Sequence, residues 1–257
     1  VGARSFLVHG LLAGLVAGLL AFGVAYTVGE PPVDAAIAVE ESAAAHEGDG
    51  HAHSHDESAG AEAVSREVQS TIGLATGTVA IGLVLGGLAG LLSAAALGRL
   101  GSLRPAGSTA LVCALGFVSF ALVPFLKYPS TPPAVGDPTT IDGRTAAFFG
   151  FTALSVVAAV GAVALGRRLV GSHGGYAACA AAAVGYLAVV VTAAVALPGF
   201  EGAGDFPADT LWEFRRASLL VLAALWGGIA LVLTGLVDRS WRRAVQVADR
   251  QALAASL

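Results

Sequence analysis

An all-α, polytopic membrane helix bundle of about six spans is the fold class that this sequence predicts, from its composition, its helix-length apolar runs and its segregated charge. Hydrophobic residues make up 56% of the 257 and charged residues only 12%, against roughly 25% charged in a soluble domain. Apolar stretches lie near residues 6–28, 71–98, 108–126, 145–166, 175–197 and 217–237. About 20 apolar residues in a helix cross the roughly 30 Å hydrocarbon core, where only a helix or a closed barrel satisfies its own backbone. Residues 1–257 therefore read as a single membrane domain.

Assigning the connections to alternate sides separates the charges. Arg4, Arg99, Arg104, Arg167, Arg168, Arg239, Arg242, Arg243 and Arg250 share one side with only Asp238 and Asp249. The other side holds Arg66, Lys127, Arg144, Arg215 and Arg216 together with the remaining carboxylates. Basic loops mark the cytoplasmic face, so the expectation is a multi-pass protein of the cell membrane with both termini cytoplasmic and three acidic connections outside.

Taken in order, the first span carries Gly10, Gly14 and Gly18 on one helical face, and the second carries Gly82, Gly86 and Gly90. Small residues four apart let two backbones approach closely where lipid supplies no hydrophobic drive. Arg4 ahead of an apolar run also fits a cleavable signal, but the run exceeds the usual ~7–15 residues, so the span is expected to stay. Residues 29–70 form a long outward loop carrying His46, His51, His53 and His55 among Glu47, Asp49, Asp56 and Glu57. Neutral imidazole binds cobalt, nickel, zinc or copper, and a flexible run wraps several rings around one ion without choosing among metals. The plain alternative is a polar, hydrated loop.

Cys113 and Cys179 each follow the cytoplasmic start of a span. Two thiols with no neighbouring histidine fall short of a ligand motif, and both read as small buried hydrophobes. The Ala-rich fifth span, including Ala177 to Ala183, suits tight packing. Apart from His9 near the inner surface, the six spans contain no charged or imidazole side chain. Any ion path through them would use backbone carbonyls and hydroxyls such as Thr76, Thr78, Ser93, Ser119 or Ser155, or a partner chain.

Two outward segments look shaped. Pro124 to Pro138 is too rich in proline for helix. Phe206 to Arg216 sets Asp209, Glu213, Arg215 and Arg216 beside Trp212. They read either as an interfacial cap with Trp212 and Tyr128 in the aromatic belt, or as an entrance whose carboxylates Asp137, Asp142, Asp209 and Glu213 attract cations. The tail 238–257, with Trp241 among arginines, reads as a cytoplasmic anchor on anionic headgroups of the membrane lipid.

Gly29 to Glu41, the His-rich insert, Val64 to Leu74, Val123 to Pro138 and Phe206 to Arg215 resemble the CbtA family of proposed cobalt transporter subunits, most of all its actinobacterial members. That resemblance covers almost the whole chain. It implies a multi-spanning permease taking up Co²⁺ for cobalamin synthesis beside a small His-bearing membrane subunit, CbtB. It supplies no ligand set, so the candidate metal residues come from this chain alone: His46, His51, His53, His55, Asp137, Asp142, Asp209 and Glu213.

No enzyme is expected, because the spans lack the His and carboxylate set that intramembrane catalysis requires. The single lysine, Lys127, is followed by Tyr128 and sits in no Walker A frame, which excludes P-loop ATP hydrolysis within this chain. No cofactor and no nucleic acid are expected; the divalent ion is cargo. The alternative is a metal-binding accessory or assembly protein serving another permease. If the His tract harvests metal, replacing His51, His53 and His55 by Ala raises the Co²⁺ concentration needed for half-maximal uptake. Unchanged uptake at limiting metal would remove the tract from the mechanism.

Overall fold

Glycine decides how the first two long helices meet. In the computed structural model, which describes residues 2–48, 65–101, 103–133, 135–136, 138–199, 204 and 206–256 (backbone only at 43–48 and 138), α1 (Ala3–Val24) lies antiparallel against α4 (Leu74–Ala96). A methyl group on Gly14 would come 2.7 Å from the carbonyl carbon of Gly82, and one on Gly18 2.8 Å from the carbonyl oxygen of Thr78. Gly10 meets Gly86 in the same way, and Gly90 meets Phe6. Each step of four along α1 is answered by four back along α4, so the six glycines named from the sequence form one backbone-to-backbone ladder.

Past the ladder α1 widens into a π-turn, Ala25–Gly29, and continues as α2 (Glu30–Gly48). The partner strand of helix enters through α3 (Arg66–Val68) and the π-turn Gln69–Gly73 before α4. A third π-turn, Phe117–Leu122, separates α5 (Pro105–Gly116) from α6 (Val123–Lys127). Proline explains two of the three. The rings of Pro31 and Pro124 would strike the carbonyls four residues back in an α-helix, and a wider turn relieves that clash. The turns also leave carbonyls short of a partner, and a hydroxyl takes one at each: Thr27 Oγ1 donates to Gly23 at 2.7 Å, Thr71 Oγ1 to Glu67 at 2.6 Å and Ser119 Oγ to Leu115 at 2.7 Å.

After the 3₁₀ turn Pro138–Thr140 comes α7 (Ile141–Ala196), at 56 residues roughly 84 Å if straight and far longer than one crossing needs. It is not straight. Gly174 takes φ 77° and ψ 165°, and the halves fold back on one another, with Ser155 Oγ 2.9 Å from the Tyr186 hydroxyl. Among the described residues five helices are long and apolar enough to cross a membrane; with α7 doubled, they supply the expected six crossings. The last, α8 (Ala208–Ala255), runs unbroken through its apolar part into the basic tail.

Phe6, Ala13, Ala17 and Ala21 of α1 form the core with Ala89 of α4, Cys113 of α5, and Leu225, Ile229, Leu233 and Val237 of α8. The folded-back α7 lies outside this group, against α6 and the third π-turn. Its edge position corrects one expectation: Cys113 is buried but Cys179, on the outer half of α7, is exposed. His9 turns toward α8, with Nε2 3.4 Å from Ser240 Oγ.

Other differences have local causes. Residues 29–48 are helical where the sequence suggested loop, because the π-turn lets the helix pass Pro31 and Pro32. Pro124 to Lys127 are also helical, for the same reason. In the tail 238–257 the helix carries on to Ala255, with Arg242 paired to Asp238 at 2.8 Å.

The ladder makes a sharp prediction. Gly86→Ala would place a methyl 2.6 Å from Gly14 Cα, whereas Gly77→Ala meets nothing within 4 Å. Alanine gains up to about 1 kcal/mol in helix propensity at either site, so the contact alone separates them. Overpacking costs about 1–3 kcal/mol; Gly86→Ala should lower the thermal midpoint in detergent by several degrees relative to Gly77→Ala. Equal midpoints would refute the ladder.

Candidate functional site

A cavity of about 810 Å³ opens at the end of the bundle away from the termini. Its wall draws on all three π-turned spans, through Ala25, Gly29 and Glu30, through Leu74 and Ile81, and through Phe120, Ala121 and Phe125. The start of α7 closes it with Ile141, Arg144 and Phe148, and α8 with Phe214, Arg215 and Ser218 and, deeper in the span, Trp226. Hydrophobic and aromatic side chains dominate, and the polar groups enter from the rim, the arrangement usual for a ligand pocket.

One clamp fixes the junction of the first two spans. Arg66 donates through Nη2 to Glu30 and to Asp34 Oδ1, the latter at 2.9 Å, and through Nε to the same Asp34 oxygen at 3.2 Å. Glu30 is only 15% exposed, so its carboxylate needs that guanidinium, whereas Asp34 is largely in solvent and gains less. The pairing continues the register of the glycine ladder, since equal numbers of residues separate Gly18 from Glu30 and Thr78 from Arg66.

The far rim is held by two bonds to the end of α7. Lys127 Nζ donates to the Leu197 carbonyl at 3.1 Å and lies 5.3 Å from the centre of the Tyr128 ring. The Tyr128 hydroxyl donates to the Pro198 carbonyl at 3.0 Å, and its ring meets buried Phe151 edge-on. Partial burial pushes the phenol above its ordinary pKa. Gly136 lies beneath the Arg144 guanidinium and takes φ 102°, a backbone conformation that residues with a side chain rarely adopt. Trp226 lays its ring on Gly116, which has room for nothing larger.

The residues singled out for metal fall differently. His51, His53, His55 and Asp137 lie outside the described residues, as does the side chain of His46. Asp142 and Asp209 are exposed in the first turns of α7 and α8, where a carboxylate suits the positive end of the helix dipole, and Glu213 is exposed one turn further on. No group of three His, Cys, Asp or Glu side chains able to hold an ion occurs among the described residues. The cavity instead gathers Glu30, Lys127, Arg144 and Arg215. Sequence reading counted these as loop charge only, and their convergence needs the tertiary register.

A family model described as "Probable cobalt transporter subunit (CbtA)" matches residues 3–238. The chain belongs to the CbtA family. The match takes in all six spans, the clamp and the whole cavity wall, and ends where α8 enters its basic tail. No curated protein and no solved structure matches the chain. CbtA membership and the apolar helices together make this a multi-pass membrane protein with a role in transport, and a subunit rather than a transporter in isolation.

Proposed function

We propose that this chain is the membrane permease subunit for uptake of Co²⁺, supplied to cobalamin synthesis, with both termini in the cytoplasm and the cavity open to the outside. The observation that carries the reading is a wide, π-turn-lined cavity at one end of a six-span bundle whose whole length matches a cobalt transporter subunit family. Capture of the ion falls to His46, His51, His53 and His55 together with Asp137, Asp142, Asp209 and Glu213. A divalent ion moving inward gains about 2.3 kcal/mol per charge per 100 mV, so entry needs no ATP.

A basic cavity does not hold a bare cation for long. Lys127, Arg144 and Arg215 line it, and the Glu30 carboxylate is already engaged by Arg66. The passage step therefore requires ligands from elsewhere, which is the physical reason to expect a second, small His-bearing subunit of the CbtB kind. The same observation favours a second reading, in which the chain is an accessory that binds metal outside and hands it to another permease.

Purified protein in liposomes, with Co²⁺ outside and an inside-negative potential, separates the two. Entry with this chain plus the small partner, above the rate with the partner alone, is the expected result. A partner that conducts equally well without this chain would leave it the accessory role.

A further inference from the structure

We propose that the cavity is a binding site for an anionic phospholipid, its phosphate held by Arg144, Arg215 and Lys127 and its acyl chain lying along Ile81 and Phe120. This goes beyond the transport reading and does not depend on the metal.

Charge is the first observation. Three cationic side chains and one carboxylate line the cavity, and that carboxylate is paired to Arg66. Among the described residues Arg144 and Arg215 have no acidic partner, and Lys127 is bonded only to a neutral carbonyl. Unused donors are the second. Arg215 Nε and Ser130 Oγ are buried polar atoms with no hydrogen-bond partner among the described residues, and both residues line this cavity. A lining with surplus donors is complementary to a ligand rich in acceptor oxygens, and phosphate supplies several with a negative charge.

Shape and depth select the membrane as the source. Lys127 ends α6, Arg144 lies in the first turn of α7, and Arg215 lies in α8 just ahead of the apolar run that begins at Ala217, so all three flank apolar spans where headgroups meet them. Ile81 lies seven residues into α4 from Leu74, roughly 10 Å deeper. Both Ile81, at 55%, and Phe149, at 63%, are exposed although they line the cavity. The wall is thus open sideways to hydrocarbon below a cationic rim. A charged head with an apolar tail fits that gradient, and a free hydrophilic anion leaves its apolar part uncovered.

Native mass spectrometry of the purified protein, titrated with phosphatidylglycerol or with phosphatidylcholine of the same chains, tests the site. Phosphatidylglycerol should bind preferentially. Arg144→Gln and Arg215→Gln, each checked for an unchanged thermal midpoint, should each weaken it about tenfold, the loss of one charged hydrogen bond. Arg239→Gln with Arg243→Gln, in the basic tail, should leave that preference intact. Equal binding of the two lipids would overturn the proposal, as would loss of the preference only in the tail variant. Displacement of the lipid by millimolar inorganic phosphate would overturn the lipid assignment and point to a soluble anion. Should a single Gln variant fail to fold, Arg215→Lys, which keeps the charge, must retain the preference.

Discussion

Close contact between the backbones of α1 and α4 is the constraint from which the rest follows. With glycine at Gly10, Gly14, Gly18, Gly82, Gly86 and Gly90 the two helices touch along their main chains, which fixes their register more tightly than interdigitating side chains could. Beyond the ladder each helix inserts a π-turn, Ala25–Gly29 in one and Gln69–Gly73 in the other, between the glycine contacts and the Glu30–Arg66 pair. The added residue in one is matched in the other, so the pairing is still in step when Glu30 reaches Arg66. The proline-free turn at Gln69–Gly73 is understandable on these terms: it answers the one that Pro31 and Pro32 impose.

From that register the cavity inherits its position. The two matched turns and the third, ahead of Pro124, set one level of widened backbone around the open end of the bundle. Thr27, Thr71 and Ser119 satisfy the carbonyls that the widening releases, so a backbone irregularity that would be costly in lipid becomes a stable lining. Lys127 and Tyr128 then fasten the far wall to the end of α7. The core of α1, α4, α5 and α8 carries the load, and α7 is left at the edge, its two halves joined by the contact of Ser155 with Tyr186.

Much of the fold was legible because its signals are local. Apolar runs of bilayer length and glycine at intervals of four each read out within a window of some 20 residues. The turn at Gly174 was already implied by the charged break at Arg167 and Arg168. What escaped is what depends on partners distant in sequence. Nothing near Arg66 announces Glu30 and Asp34, and Arg144 and Arg215 looked like surface counter-charges until the helix ends were brought together. Proline misled in a different way: reading Pro31 or Pro124 as a stop ignores the π-turn that lets a helix continue past it. Cys179 was misplaced because an Ala-rich span signals close packing without saying how many neighbours it has.

One functional picture joins these parts: a helix pair locked by glycine, a cavity held open above it with Lys127, Arg144 and Arg215 on its wall, and a basic tail on α8. In this picture the cavity opens away from the cytoplasm. In a chain with Cys113 and Cys179 replaced by serine, single cysteines at Thr145→Cys, on the cavity wall, and at Ser172→Cys, beside the Gly174 turn, report that directly. A membrane-impermeant maleimide should label the first in intact cells and the second only after the membrane is opened. Labelling of Ser172→Cys in intact cells with Thr145→Cys protected would contradict the account.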